Sequence, residues 1–187
     1  MAIANDEFRR LIETHQRMVF SIALRVTGDY ATAEEVAQDV FLALHRNGER
    51  VVVEDHIRFW LRRVAVHRAT DALRRRATRP EAAAEEWSDA HEAQQFDGAA
   101  ASRLGIGIAI EARLDELLQG LPETLRVAVV LRYQEEMQPE EIAVLLSQPV
   151  ATVKSHLQRA LKLLRRKAAV TMKEYVRESV QRAVEPI

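Results

Sequence analysis

Apolar residues recur at helical spacing through most of the chain, and their phase marks out one amphipathic helix after another. Phe8, Leu11, Ile12, His15, Val19, Ile22 and Val26 share one face of a first helix, which Asn5 or Asp6 can cap and Gly28 can end. A second helix turns Ala33, Val36, Ala37, Val40, Phe41 and Leu44 inward. Asp29 or Thr32 can cap it, and Thr32 with Glu35 fits a capping box. Its opposite face offers Glu34, Glu35, Gln38 and Asp39. Asn47-Gly48 then breaks the chain before Val51-Val52-Val53, a short apolar run that periodicity does not assign. A third helix is expected over roughly 56–76, capped by Asp55, with Ile57, Trp60, Leu61, Val64, Ala65 and Ala72 inside. Arg58, Arg62, Arg63, Arg74, Arg75 and Arg76 face outward or run past the core. Arg68 falls on the inward stripe, so it must snorkel out or meet an acid such as Asp71.

From Pro80 to about Ile108 the periodicity lapses into Ala repeats, acids and glycines, a composition that disfavours a packed core. It returns near Ile110 with Leu114, Leu117 and Leu118, and Leu121-Pro122 marks a break. A helix from Pro122 carries Leu125, Ala128, Val129 and Tyr133 in phase. Pro139 then suits a first helical position, since its missing N–H would be unpaired there, and Glu140 and Glu141 favour the positive helix start. Ile142, Ala143, Leu145 and Leu146 form the apolar face of that helix, and Ser147-Gln148-Pro149 interrupts it. The next helix repeats Val153, Leu157, Leu161 and Leu164 as a buried stripe. The tail beyond it can extend a helix through Met172, Val176 and Val180. The expected architecture is all-α. Two small helical domains, 1–79 and 111–169, are joined by a flexible acidic linker, 80–110, and followed by a tail, 170–187. The C-terminal domain is a helix-turn-helix.

Charge sharpens this picture where its total does not. Net charge is −1, yet residues 26–45 hold Asp29, Glu34, Glu35 and Asp39 with no Lys or Arg. Residues 58–79 hold eight arginines against the single acid Asp71. Glu81, Glu85, Glu86, Asp89, Glu92 and Asp97 make 80–100 acidic again, and no acid occurs between Glu141 and Glu174. A short helix, a short turn and an acid-free basic helix suit entry into a DNA major groove. Two basic helical blocks separated by acidic ones point to two DNA contacts in one chain.

Apolar residues make up 48% of the chain and charged residues 29%, the balance of a soluble globular protein. The absence of cysteine removes disulfides, thiolate metal sites and cysteine nucleophiles together. His15, His45, His56, His67, His91 and His156 include no pair at helical ligand spacing, so no metal or cofactor is expected. No Gly-rich phosphate loop, nucleophile elbow or paired-carboxylate arrangement stands out, which argues against an enzyme. With no run of about 18 apolar residues and no signal peptide, membrane insertion is not expected and a cytoplasmic location is.

Three segments together resemble a bacterial RNA polymerase sigma factor of the extracytoplasmic-function (ECF) group. LRVTGDYATAEEVAQDVFLALHR at 24–46 is similar to that family's core-polymerase-binding helix. FWLRRVAVHRATDALRRRATR at 59–79 is similar to its promoter-melting helix. The segment 121–167 is similar to its domain for the minus-thirty-five element, with the acidic linker in the family's place. The resemblance implies that Glu34, Glu35, Gln38 and Asp39 dock on core polymerase; read without it, they form a solvated helix face. It implies that Arg62, Arg63, His67, Arg74, Arg75 and Arg76 hold the minus-ten element and the opened strand. Thr152, Ser155, His156 and Arg159 would read minus-thirty-five bases, while Lys154, Lys162, Arg165 and Arg166 would hold phosphates. The linker would thread the polymerase cleft, or simply keep two basic domains apart.

The chain departs from the family pattern at His67, usually Asn, and at Arg68, usually apolar. It also departs at His156, usually Arg, and at Ser147, where a turn often needs Gly. The partners implied are core RNA polymerase, promoter DNA and an anti-sigma factor. Two other readings stay open on sequence alone: a helix-turn-helix regulator of duplex DNA that works without polymerase, and a polymerase-binding adaptor.

Overall fold

The computed structural model describes residues 5–47, 54–78 and 114–184, with side chains of the last helix described to residue 169. The chain divides into two compact units, Met1–Glu116 and Leu117–Ile187. Every regular element among the described residues is helical, as the periodicity requires. The expected apolar run 51–53, the linker and residues 111–113 lie outside the described residues.

In the first unit α1 (Asn5–Thr27), α2 (Tyr30–Asn47) and α3 (Glu54–Thr78) each pack against the other two. The core takes Val19, Ile22, Ala23 and Val26 from α1, and Ala33, Val36, Val40, Phe41 and Leu44 from α2. Ile57, Leu61, Ala65, Val66 and Ala69 complete it from α3. Burial of each large aliphatic side chain contributes about 1.5–3 kcal/mol, so this three-way stripe, rather than helix propensity, holds the unit together. His15 is also buried. α1 ends as its sequence demands: Gly28 takes a φ of 73°, and its N–H bonds the Leu24 carbonyl at 2.7 Å.

The helix starts differ from expectation. α1 already includes Asn5, so Asn5 and Asp6 lie in the first turn, where Asp6 and Glu7 complement the helix dipole. α3 begins at Glu54, which puts Asp55 inside the helix and not before it. At α2 the cap is Asp29: its Oδ2 accepts the Thr32 N–H at 2.8 Å and also the Thr32 hydroxyl. Thr32 therefore sits in the first turn as a donor to the cap, and the Thr32–Glu35 capping box does not start this helix.

The second unit holds α4 (114–119), which straddles the division, α5 (Glu123–Val129), α6 (Pro139–Leu146) and α7 (Val150–Val184). Leu118, Leu121, Leu125, Val129 and Ala160 form its central cluster, with Leu163 and Leu164 packed against it. On α7 the buried seam thus runs Val153, Leu157 and Ala160, and Leu161 and Leu164 are both half-buried, Leu164 against the central cluster. α5 does not continue as an ordinary helix. Val130–Gln134 form a π-turn, closed by the Glu135 N–H on the Val130 carbonyl at 3.2 Å. The wider turn delays the phase of everything after it. Tyr133, expected in line with Leu125 and Val129, is 56% exposed, while Leu131 and Met137 are buried instead.

Arg126 is the unexpected core residue. It is 8% exposed and donates to the Gln119 carbonyl at 3.0 Å, the Leu121 carbonyl at 3.1 Å and the Gln119 side chain. Its guanidinium thereby ties the Gln119 carbonyl at the end of α4 to the Leu121 carbonyl in the break that follows. Burial pulls its pKa down, opposed by the nearby Glu123 carboxylate.

Candidate nucleic-acid interface

On α2, Glu34, Glu35, Gln38 and Asp39 are all exposed on the side away from the buried stripe. Spacing of one, three and one residues keeps them on a single helical ridge. Asp39 is not free there. Its Oδ2 lies 3.5 Å from Nη1 of Arg68 on α3. This answers the question that Arg68 raised: at an inward phase it reaches the rim and meets an acid, and the acid is Asp39 and not Asp71. Asp71 pairs with Arg74 at 3.8 Å, and its carbonyl accepts from Arg75 Nε at 3.4 Å.

Successive α3 residues rotate by about 100°, which sorts the arginines. Arg63, His67 and Arg74 fall on one face away from the core, and all three are exposed. Arg62 is half-buried at the edge of the core. Arg75 and Arg76 point from other faces of the last turn and are exposed. The six residues therefore form a three-member row plus three outliers rather than one patch.

α6 and α7 build the helix-turn-helix. Pro139 is the first residue of α6, and Glu141 Oε2 accepts the Gln138 N–H at 2.6 Å, half of a capping box. Ser147 closes α6 in the left-handed region, φ 53° and ψ 46°. Its side chain is exposed, and Gln148 N–H returns to the Ala143 carbonyl at 2.9 Å. The turn is therefore the left-handed one that commonly takes glycine.

Along α7, Ser155, Arg159, Lys162 and Arg166 share the ridge opposite the core. Thr152 and His156, one turn apart, lie on the flank beside the core and are half-buried. His156 Nδ1 is buried with no hydrogen-bond partner, so polar contact with a ligand falls to Nε2. Lys154 lies on the opposite flank, and its Nζ is 3.0 Å from Glu140 Oε1. Lys154, by hydrogen bond and charge, and the Glu140 backbone amide hold the Glu140 carboxyl below its ordinary pKa. The carboxylate is thus ionised throughout the neutral range, and acidification through that lowered value breaks the pair. Lys167, in phase with the core, donates to the Gly120 carbonyl at 2.7 Å.

Sequence periodicity had no means of finding Arg126 or the pairs Asp39–Arg68 and Glu140–Lys154. Each joins residues on different helices, or a cation to carbonyls of a neighbouring turn. Among the described residues, no group of three or more His, Asp or Glu could hold a metal ion. None of their helices is long and apolar enough to cross a membrane.

Comparison with known proteins gives two family matches. Residues 11–79 match the family described as sigma-70 region 2, and residues 111–164 match sigma-70 region 4. The chain is 28% identical to the RNA polymerase sigma-H factor of Pseudomonas aeruginosa, over 96% of this chain and 87% of that one. It is 24% identical to the ECF RNA polymerase sigma factor SigW of Bacillus subtilis, over 86% of this chain and 88% of that one. Among solved structures it resembles the sigma factor RpoE of Bartonella quintana, determined in complex with the anti-sigma factor NepR. The TM-score is 0.67 and the identity 16%, over 88% of this chain and 98% of that one.

Proposed function

The chain belongs to the sigma-70 family of RNA polymerase sigma factors, in its extracytoplasmic-function group, and from that premise we propose how its residues divide the work of transcription initiation. The protein binds core RNA polymerase and directs promoter recognition, DNA melting and initiation at a specific set of promoters. Catalysis of RNA synthesis belongs to the polymerase, and this chain supplies sequence reading and strand capture from the cytoplasm.

The domain spanning 1–79 carries the first two tasks. The exposed α2 ridge of Glu34, Glu35, Gln38 and Asp39 docks on a basic surface of the polymerase. On α3, the row of Arg63, His67 and Arg74 holds phosphates of the minus-ten element and the opened strand, with Arg62, Arg75 and Arg76 around it. The linker 80–110 joins this domain to the second, 111–169, and the tail 170–187 follows.

In the second domain α7 enters the major groove. Ser155 and Arg159 on the outward ridge, with Thr152 and His156 on its flank, read base edges of the minus-thirty-five element. Lys154, Lys162, Arg165 and Arg166 hold phosphates, which fix register but carry little sequence information. A good base contact discriminates by about 1–3 kcal/mol, so one such helix recognises a promoter weakly and needs the first domain and polymerase beside it. The complex of the similar sigma factor RpoE with the anti-sigma factor NepR supports an anti-sigma factor as a further partner.

The observation that carries this reading is the ordered pair of region matches, region 2 on the acidic and arginine-rich helices and region 4 on the helix-turn-helix. A DNA-binding regulator that works alone has no need of the first. Reconstitution with core polymerase tests it: the holoenzyme is expected to select and open specific promoters from a genomic fragment library. Absence of any promoter-dependent transcript overturns it, as does retention of DNA-dependent regulation with no affinity for core enzyme.

A further inference from the structure

Two acids stand at the start of α6, and they do different things. Glu141 is committed to its own helix through the Gln138 N–H. Glu140 reaches across the turn to Lys154 on α7, and beyond it no acid occurs for the rest of the described α7 side chains. Both side chains of the pair are more than half exposed, so the contact is made in water and exchanges readily. Arg132, whose Nη1 donates to the Met137 carbonyl at 3.0 Å, also stabilises the Glu140 carboxylate by its charge. A solvent-open carboxylate therefore lies against Lys154 and also feels the charge of Arg132, beside the helix proposed to meet DNA.

We propose that Glu140 is a resident competitor of the DNA backbone for Lys154, and so sets how tightly this protein holds duplex DNA irrespective of base sequence. The inference rests on the reading above in which Lys154 grips a phosphate. To make that contact the ammonium must give up the carboxylate or share itself between two anions. In either case the carboxylate loses part or all of its attraction to the ammonium, and that loss weakens binding by about two- to fivefold at high effective dielectric. The carboxylate left behind recruits a cation from solution, cancelling part of the counterion release that drives association. The resident acid thus lowers affinity for bulk DNA while leaving the base-reading residues Thr152, Ser155, His156 and Arg159 untouched.

The test uses the full chain at low salt, a mixed-sequence duplex of about 30 base pairs and a second duplex of alternating A and T, with affinity followed against salt concentration. Glu140→Gln is expected to tighten binding to both duplexes about two- to fivefold and to steepen the salt dependence. Lys154→Ala is expected to weaken both and flatten the slope by less than about 0.9, because the freed carboxylate already offsets part of the release. Adding Glu140→Gln to Lys154→Ala should recover much less than it gains alone. If Glu140→Gln leaves affinity unchanged or lowers it while Lys154→Ala weakens binding, the competitor is disproved and the phosphate contact stands. If Lys154→Ala changes neither affinity nor slope, the phosphate contact itself fails and the competitor with it. No measurable binding by any of the variants also ends the proposal. Equal thermal melting of Glu140→Gln and the natural protein excludes a folding effect.

Discussion

Asp39 on α2 and Arg68 on α3 are joined 3.5 Å apart, so one carboxylate belongs both to the proposed polymerase-docking ridge and to the rim of the proposed minus-ten helix. An arginine at an inward phase is tolerated because its long side chain reaches solvent and its head finds that acid. The pair is about half exposed on both sides, which limits its contribution to about 0.2–1 kcal/mol.

Arg68→Leu is accordingly expected to change the stability of the first unit by less than about 1 kcal/mol. It releases Asp39 and should raise affinity for core polymerase. The double change Gln38→Ala with Asp39→Ala should lower that affinity while leaving duplex binding intact. Titration of labelled protein with core enzyme checks both. Identical core affinity in all three proteins would sink the docking role.

Arg126→Met removes a buried cation together with its bonds to the Gln119 and Leu121 carbonyls. The second unit should lose about 2–4 kcal/mol, because a buried cation and its bonds to the Gln119 and Leu121 carbonyls go together. Arg126→Lys should rescue little, since one ammonium cannot reproduce the forked geometry. Chemical denaturation read on the second unit's helices decides it; a loss under about 1 kcal/mol would assign the residue to packing alone.

At Ser147, φ 53° and ψ 46° place a residue with a Cβ in the left-handed region. Ser147→Gly should stabilise the second unit by about 1 kcal/mol, with DNA affinity unchanged. A destabilised variant would mean that the serine hydroxyl supports the turn.

Glu141→Ala deletes the acceptor for the Gln138 N–H and is expected to cost about 1 kcal/mol of stability. Unlike Glu140→Gln, it should not tighten DNA binding, because Glu141 does not hold Lys154. Side-by-side melting and duplex titration of the two variants separates the acids.

The stripes of α1, α2 and α6 were legible because apolar residues at 3.6-residue spacing report one face of a regular helix. The glycine stop at Gly28 was legible from local chemistry, whereas the left-handed Ser147 was expected only from the resemblance, where that turn often takes glycine. Tyr133 was misplaced because phase counting assumes a constant turn, and the π-turn at Val130–Gln134 changes it. Asp29 and Thr32 were indistinguishable as caps, since both are good acceptors and only the backbone decides which is outside the helix. Arg68 and Arg126 were opaque for another reason: their partners come from other helices or turns, and no spacing rule reaches across a fold.

The contact of Lys167 with Gly120 spans 47 residues, and Ala160 closes on Leu118, Leu121 and Leu125 over a similar distance. The second unit therefore has no complete core until α7 has left the ribosome. Until then α5 and α6 would expose Leu125, Val129, Ile142 and Leu145 without a cover. Loop closure of this length slows folding relative to neighbouring-helix contacts. The helix proposed to read DNA is thus also the last-made part of its own scaffold, and a chain that stalls before it carries a sticky, unfinished half that chaperones and proteases can recognise.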